Sequence, residues 1–471
     1  MNEPILSAGD VTAGGRAAIP IHAVGAADWP TVVETLSPST RAAARVARFA
    51  GKPGDLVLVP APDGAVERVL FGVGDGAGAA MSARALPARL PTGDYGVDLS
   101  GGPAWVLERM ADIALAWAFG AYGFDRYKQE RPQAPPRLVA PDGVDVRRIR
   151  VIAEACALVR DLINTPANDM GPQHIEAAAR ALAGAYGATV TVTTGDDLLE
   201  AGYPAVHAVG RAATPPRAPR MIEITWGAAD RPVVALVGKG VVFDTGGLDI
   251  KPSSAMRLMK KDMGGAAHAL GLARMVMGLD LPVRLSVLIP VVENAISGDA
   301  MRPGDVLASR KGLSIEVGNT DAEGRLILAD ALTRAAELDP DLTVDLATLT
   351  GAARVALGPQ VIPFYTADDA LARALAEAST TVEDPLWRMP LWDAYAAGLA
   401  SDVADIKNDA DAWTQAGSIT AALFLQRFAP AGSWVHFDIF AWNPRGRPGW
   451  PVGAEAQAIR ALFAVLEARY R

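Results

Sequence analysis

Four short strand-like runs are rich in apolar residues: VVALVG (233–238) and LSVLIPVV (285–292) nearly throughout, and TVDLATLT (343–350) and VHFDIF (435–440) with a few polar residues between. A strand with one wet face alternates polar and apolar residues, so these runs describe strands covered on both faces. Stretches with helical spacing lie among and after them: GAAHALGLARMVMGL (265–279), RLILADALTRAAE (325–337), read as an amphipathic helix, and AEAQAIRALFAVLEARY (454–470). Strand and helix in alternation predict an α/β fold with a largely parallel sheet between helix layers. In such sheets ligands bind beyond the carboxyl ends of the strands.

The first part of the chain carries strand-like DLVLVPA (55–61) and RVLFGVG (68–74) and a helical stretch over 105–122, with little clustered chemistry. RPQAPPRLVAPDG (131–143) is the most proline-dense segment and reads as a connector holding one short strand, RLVA. The helical pattern of 144–164 stops before Pro166. These signals divide the chain into an N-terminal α/β domain, 1–141, and a larger C-terminal domain, 142–471. Each is expected to be a mixed or mostly parallel sheet flanked by helices.

Composition removes several classes of function. The single cysteine, Cys156, excludes an intramolecular disulfide and a thiolate metal cage. No apolar stretch reaches the roughly eighteen residues of a membrane span. The start, MNEPILSAGDVTAGG, lacks the basic and apolar regions of a secretory signal, so a cytoplasmic location is expected. A net charge of −9 disfavours nucleic acid as the main partner.

The chemistry collects in two segments. NTDAEGRL (319–326) follows the strand-like LSIEV (313–317) and alternates Asp321, Glu323 and Arg325. Taken alone, such a segment usually reads as an acid pair at a helix N-terminus with a surface ion pair. The second segment, 237–267, carries Lys239, Asp244, Lys251 and Asp262 around the pairs Gly246–Gly247 and Gly264–Gly265. Long loops inside compact domains are usually functional, and paired glycines allow close backbone approach or positive φ. Asp244, Asp262, Asp321 and Glu323 together supply four carboxylates, which would repel one another if buried without compensation. Two divalent cations would neutralise them. Oxygen ligands suit Zn2+, Mn2+, Mg2+ or Co2+. Lys239 could add a nitrogen as the neutral amine, and Lys251 and Arg325 would remain charged and face a developing oxyanion or a small anion. No HExxH or GxSxG occurs, and His207 and His268 read as packing residues.

The stretches VGKGVVFDTGGLDIKPS, MKKDMGGAA and NTDAEGRL closely resemble the signature segments of the leucyl aminopeptidase (cytosol aminopeptidase) family. Weaker resemblance covers RDLINTPANDMGP (160–172), DLATLTGA (345–352), ITAALFLQRF (419–428) and WVHFDI (434–439). The resemblance implies a two-metal exopeptidase that releases N-terminal, Leu-like residues by attack of a hydroxide bridging the metals. Lys239, Asp244, Asp262, Asp321 and Glu323 match the metal ligands, and Lys251 and Arg325 the catalytic pair. Arg325 would hold a bicarbonate acting as general base, aided by the backbone of Leu349 and Gly351. Met259, Thr348 and Gly351 match the pocket for the first side chain. The expected partners are peptides with a free N-terminus and five further copies of the chain in a homohexamer. Thr245 and Ser418 depart from the usual pattern without removing a ligand, and Ser418 is expected to lie away from the metals. Two other functions compete: a DNA-binding or scaffolding role for the N-terminal domain, and a binuclear esterase or phosphoesterase, which would more often use histidine ligands.

Overall fold

A computed structural model describes residues 3–7, 17–74, 77–98, 102–129 and 134–471; residues 131–133 of the proline-rich connector lie outside the described residues. The chain groups into two compact units, Met1–Ala157 with Arg445–Val452, and Leu158–Pro444 with Gly453–Arg471. The helix Val146–Asn164 runs from the residues of the first unit into those of the second.

The first unit is built on a six-stranded sheet in the order Ile5–Leu6, Arg137–Val139, Asp94–Asp98, Ile19–Val24, Val66–Gly72, Leu56–Pro60. All its pairings are parallel except the last, an antiparallel hairpin on the edge. The short strand expected from RLVA is Arg137–Val139. Helix Pro38–Val46 starts at Ser37, whose side chain accepts the Thr40 amide as an N-cap, and packs on the hairpin through Ala44.

The second unit holds a nine-stranded mixed sheet. Its centre is parallel: Arg284–Asn294, Val233–Gly238, Leu342–Ala347 and Ser433–Asp438 lie side by side. Antiparallel strands Thr189–Thr194 and Arg220–Trp226 extend one side, and Ile362–Tyr365 begins the other. The central strands fall in the four apolar runs of the sequence, and apart from Val233 at one end their valines and leucines are buried. Helix Gly264–Gly278 packs against Val233–Gly238 and Leu342–Ala347 and is buried along almost its whole length.

LSIEV forms a strand as expected, but outside the large sheet. Its strand Ser314–Glu316 lies in a separate three-stranded sheet, between Val306–Ala308 and Ile406–Lys407. A five-residue apolar run satisfies either location, and only the long-range partner decides. The helix Glu323–Ala336, expected to be amphipathic, is not. Every residue from Glu323 to Leu332 is buried, the acids and Arg325 included. Its polar side chains face specific partners inside the protein instead of forming a solvated stripe.

Asp330 shows what that means energetically. Its Oδ2 accepts the amides of Ala205 at 2.8 Å and Val206 at 3.2 Å, and its Oδ1 accepts the Arg310 amide at 2.8 Å. An Asp330→Ala variant strands three N–H groups in the interior. We expect a loss of about 3 kcal/mol or more, read as a lowered denaturant midpoint at unchanged slope. A loss under about 1 kcal/mol would mean that water reaches those amides.

His268, on helix Gly264–Gly278, is a packing residue as expected. Nδ1 lies 2.6 Å from the Gly264 carbonyl and Nε2 accepts the Gln457 amide at 3.0 Å, which assigns the proton to Nδ1. Burial lowers its pKa to about 4. The folded chain therefore keeps the ring neutral where the unfolded chain takes up a proton. This contribution is complete above about pH 6.5 and is lost as pH falls toward 4. Because His268→Gln cannot titrate, the stability gap between it and wild type should narrow by about 2 kcal/mol from pH 7.5 to pH 5. A gap that does not change with pH would contradict the buried neutral ring.

Candidate metal centre

The centre forms where strands of the large sheet end. Val233–Gly238 pairs with the first part of Arg284–Asn294, and Gly240–Asp244 pairs with its last part. Lys239 sits at the junction, and Asp244 ends the second strand. The chain then turns at Gly246 (φ +87°) and Gly247 (φ +64°), left-handed conformations that favour glycine, and returns to Lys251. Asp262 follows the short turn Met259–Lys261. The other glycine pair serves contact, not φ: a Cβ on Gly265 would lie 2.0 Å from the Leu346 carbonyl oxygen. Glu323 opens helix Glu323–Ala336, and a Cβ on Gly324 would lie 2.6 Å from Lys239 Cε. NTDAEGRL therefore needs its glycine so that Lys239 can reach the helix end.

These elements bring the predicted residues together. One carboxylate oxygen from each of Asp244, Asp262 and Glu323 lies within 4.8 Å of the others, and all three residues are buried. Lys239 Nζ is 2.7 Å from Asp262 Oδ2 and 3.0 Å from Glu323 Oε1. Lys251 Nζ is 2.8 Å from Asp244 Oδ2 and also pairs with Asp321 Oδ1. Six of the seven expected ligands and catalytic groups thus form one cluster, with Asp321 on its more exposed side.

Arg325 lies beyond the cluster along the helix. Its guanidinium donates to the Asn408 carbonyl at 2.6 Å, while its buried Nε finds no hydrogen-bond partner. Thr348 donates its hydroxyl to Asp262 Oδ1 at 2.8 Å and accepts Lys239 Nζ on its carbonyl at 3.1 Å. Of the backbone expected to hold an anion, the Leu349 amide is already given to Asp438, whereas a Cβ at Gly351 would meet open space.

The electrostatics follow from burial. Desolvation disfavours the Lys239 ammonium, but Asp262, Glu323 and Asp244 outweigh it and hold its pKa above the usual lysine range. Lys251 is raised in the same way, chiefly by Asp244 against the pull of burial. Burial, with Asp244 nearby, pushes Glu323 up to about 8 and Asp321 up to about 6. Burial lowers Arg325 to about 10. The two lysines therefore act as counter-charges to the acids. Lys239 can offer a lone pair only where cations take over that task.

The residues present fit divalent ions. Among the described residues, buried oxygens on Asp262, Asp321 and Glu323 have the ammonium groups of Lys239 and Lys251 as ion-pair neighbours and no further hydrogen-bond donor. Several hard oxygens and one amine nitrogen converge, and no histidine belongs to the cluster among the described residues.

Sequence reasoning missed the groups that hold this arrangement. Asn294 Nδ2 donates to Asp244 Oδ1 at 2.8 Å and to the Thr320 carbonyl at 3.1 Å. Asn408 accepts the Gly318 and Asn319 amides and donates to the Asn319 carbonyl, fixing NTDAEGRL from outside. An amide at the end of an apolar strand, as in VVEN, was a usable signal for Asn294. Asn408, in an irregular loop, offered none.

An α/β sheet with a lysine–carboxylate cluster at its strand ends is the arrangement of a metal-dependent peptidase. The comparisons agree. The cytosol aminopeptidase family catalytic domain matches residues 157–463, and the M17 aminopeptidase N-terminal domain matches 19–141. A probable cytosol aminopeptidase of Syntrophotalea carbinolica is 40% identical over 447 residues, 89% of each chain. The crystal structure of cytosol aminopeptidase from Coxiella burnetii superposes with a TM-score of 0.92 at 44% identity, covering 99% of both chains. The bottromycin maturation enzyme BotP in complex with Mn gives a TM-score of 0.85 at 33% identity, covering 96% of this chain and 99% of that one. The chain belongs to the M17 cytosol aminopeptidase family and is an aminopeptidase, a hydrolase of peptides.

Proposed function

We propose that the chain releases N-terminal residues, Leu-like ones preferred, from peptides with a free amine, using two divalent ions held by Lys239, Asp244, Asp262, Asp321 and Glu323. The observation that carries this reading is the buried triad of Asp244, Asp262 and Glu323, in which Asp262 Oδ2 and both Glu323 oxygens accept no hydrogen bond among the described residues. Bound metals would supply an activated water and polarise the scissile carbonyl. The protein's own tasks are distinct. Glu323 pairs with Lys239 and Asp244 with Lys251, and these two acids would serve both ions. Lys251, raised in pKa and therefore cationic, faces the charge that develops on the carbonyl oxygen. The unpaired Nε of Arg325 is a donor for an anion, and bicarbonate would suit it as general base. Met259, Thr348 and Gly351 line the pocket for the first side chain.

Zn2+ or Mn2+ is the preferred metal pair, with Mg2+ or Co2+ compatible. The Mn complex of BotP supports manganese. Residues 1–141 form the N-terminal domain and 142–471 the catalytic one. The enzyme acts in the cytoplasm as a homohexamer. No helix among the described residues is long and apolar enough to cross a membrane.

The test is hydrolysis of Leu-p-nitroanilide after chelation, with Zn2+ or Mn2+ returned, beside Leu-amide, N-acetyl-Leu-p-nitroanilide and p-nitrophenyl phosphate. Metal-dependent release from the free-amine substrates alone supports the reading. Turnover of the acetylated substrate or of the phosphate ester at a comparable rate would sink it.

A further inference from the structure

The parallel ladder sets Asp438 beside Ala347, at the point where strand Leu342–Ala347 gives way to the loop 348–350. Asp438 is almost fully buried, and four donors converge on its carboxylate. Oδ1 accepts the amides of Leu349 and Thr350, both at 3.0 Å. Oδ2 accepts the Thr350 hydroxyl at 2.6 Å and the Ser418 hydroxyl at 3.1 Å. Ser418 in turn meets the Tyr365 hydroxyl at 2.6 Å; with its own proton on Asp438, it must accept from Tyr365. Ser418 touches no cluster residue, yet it belongs to this network.

The other side of the same loop touches the metal centre. Thr348 binds Asp262 through its hydroxyl and Lys239 through its carbonyl. Asp438 makes no hydrogen bond to Lys239 or Asp262 among the described residues, but it fixes the two residues that follow Thr348, which binds both. None of its four donors is charged; the buried Lys261 and Arg325 feel its charge but donate no hydrogen bond to it among the described residues, so the loop itself is held by hydrogen-bond geometry, an arrangement that is stiff when complete and costly when broken.

We infer that Asp438 is the positioning residue that clamps the 348–350 loop against Lys239 and Asp262, and so sets the affinity of the ion those two residues hold. This rests on the two-metal reading of the centre. Thr350 extends the clamp, since its hydroxyl also accepts the Ala353 amide and caps helix Gly351–Leu357. A purely structural aspartate would tie the loop to the sheet without favouring one ion over the other. Asp438 is tied to one ion because Thr348 reaches Lys239 and Asp262 but makes no hydrogen bond to Asp321.

The experiment is Mn2+ titration by calorimetry on the full chain, with thermal melting to follow folding and Leu-p-nitroanilide turnover alongside. Asp438→Ala is expected to weaken one of two ions by about 10–100-fold and leave the other in place. Asp438→Asn keeps one oxygen for the two amides and gives an NH2 to hydroxyls that can rotate to accept it. It should return Mn2+ affinity to within about threefold of wild type, the discrimination that hydrogen-bond geometry without charge allows. Excess Mn2+ should restore turnover in Asp438→Ala with KM for the anilide unchanged. Wild-type affinity for both ions in Asp438→Ala overturns the inference. So does an Asn variant as weak as the Ala variant, which would make charge, not placement, the cause. Should Asp438→Ala fail to fold, Thr350→Val removes one donor and keeps the carboxylate; the same ion should then weaken several-fold, and unchanged affinity counts against the clamp. A wild-type chain that binds no pair of Mn2+ ions refutes the two-metal reading itself, an outcome distinct from both.

Discussion

Replacing Glu323 with Gln is expected to lower kcat/KM for Leu-p-nitroanilide by about three orders of magnitude, close to 4 kcal/mol of transition-state free energy, and to reduce the retained metal below two ions per chain. The substitution keeps shape and removes charge. Glu323 is only 1% exposed, and both its oxygens lack a hydrogen-bond partner. Burial and Asp244 push its carboxyl up to about 8 despite the opposing pull of Lys239 and Lys251, so the protein's own cations do not fully compensate its charge. Cations are the compensation that this geometry calls for. Gln offers one acceptor where Glu offers two and cannot neutralise them. Metal content after gel filtration and anilide turnover are the two readings needed. A Gln variant with both ions and near-normal turnover would remove Glu323 from the centre.

Lys251→Met should give the opposite pattern: kcat down by about 10²–10³, with two ions still bound. Lys251 pairs with Asp244 and Asp321 but donates no lone pair in the proposed site, and Met matches the length of its stem. What is lost is a cation aimed at the developing charge. Metal counting separates the two variants, because a ligand and an electrostatic group both lower the rate but only the ligand lowers occupancy. Loss of metal in Lys251→Met would mean that Lys251 holds the carboxylates in place and is not reserved for the substrate.

Much of this architecture was legible because it depends on local physics. Apolar-rich runs at 233–238, 285–292 and 343–347 suit strands buried on both faces, and they lie in the centre of the sheet. Glycine pairs next to acids marked close backbone approach, and Gly246, Gly247 and Gly265 all require glycine, for two different reasons. Four acids, two lysines and an arginine in two segments limited the chemistry before any fold was known.

What the sequence could not contain was partnership between distant residues. LSIEV had the composition of a core strand, and its place in a three-stranded sheet follows from pairing with residues 406–407, which nothing local announces. The helix after NTDAEG had polar residues at spacings that suggested a wet face. Arg325 and Asp330 are buried because Ala205, Val206, Arg310 and Asn408 supply matched partners from elsewhere in the chain. The same holds at the centre. The sequence by itself determined the fold class, the family and the set of candidate ligands, since residue type and spacing act over a few positions. Only the tertiary structure decided which lysine faces which acid, and that Asn294 holds Asp244 while Asp438 holds the 348–350 loop, because hydrogen bonds across many intervening residues depend on where the folded backbone brings each group.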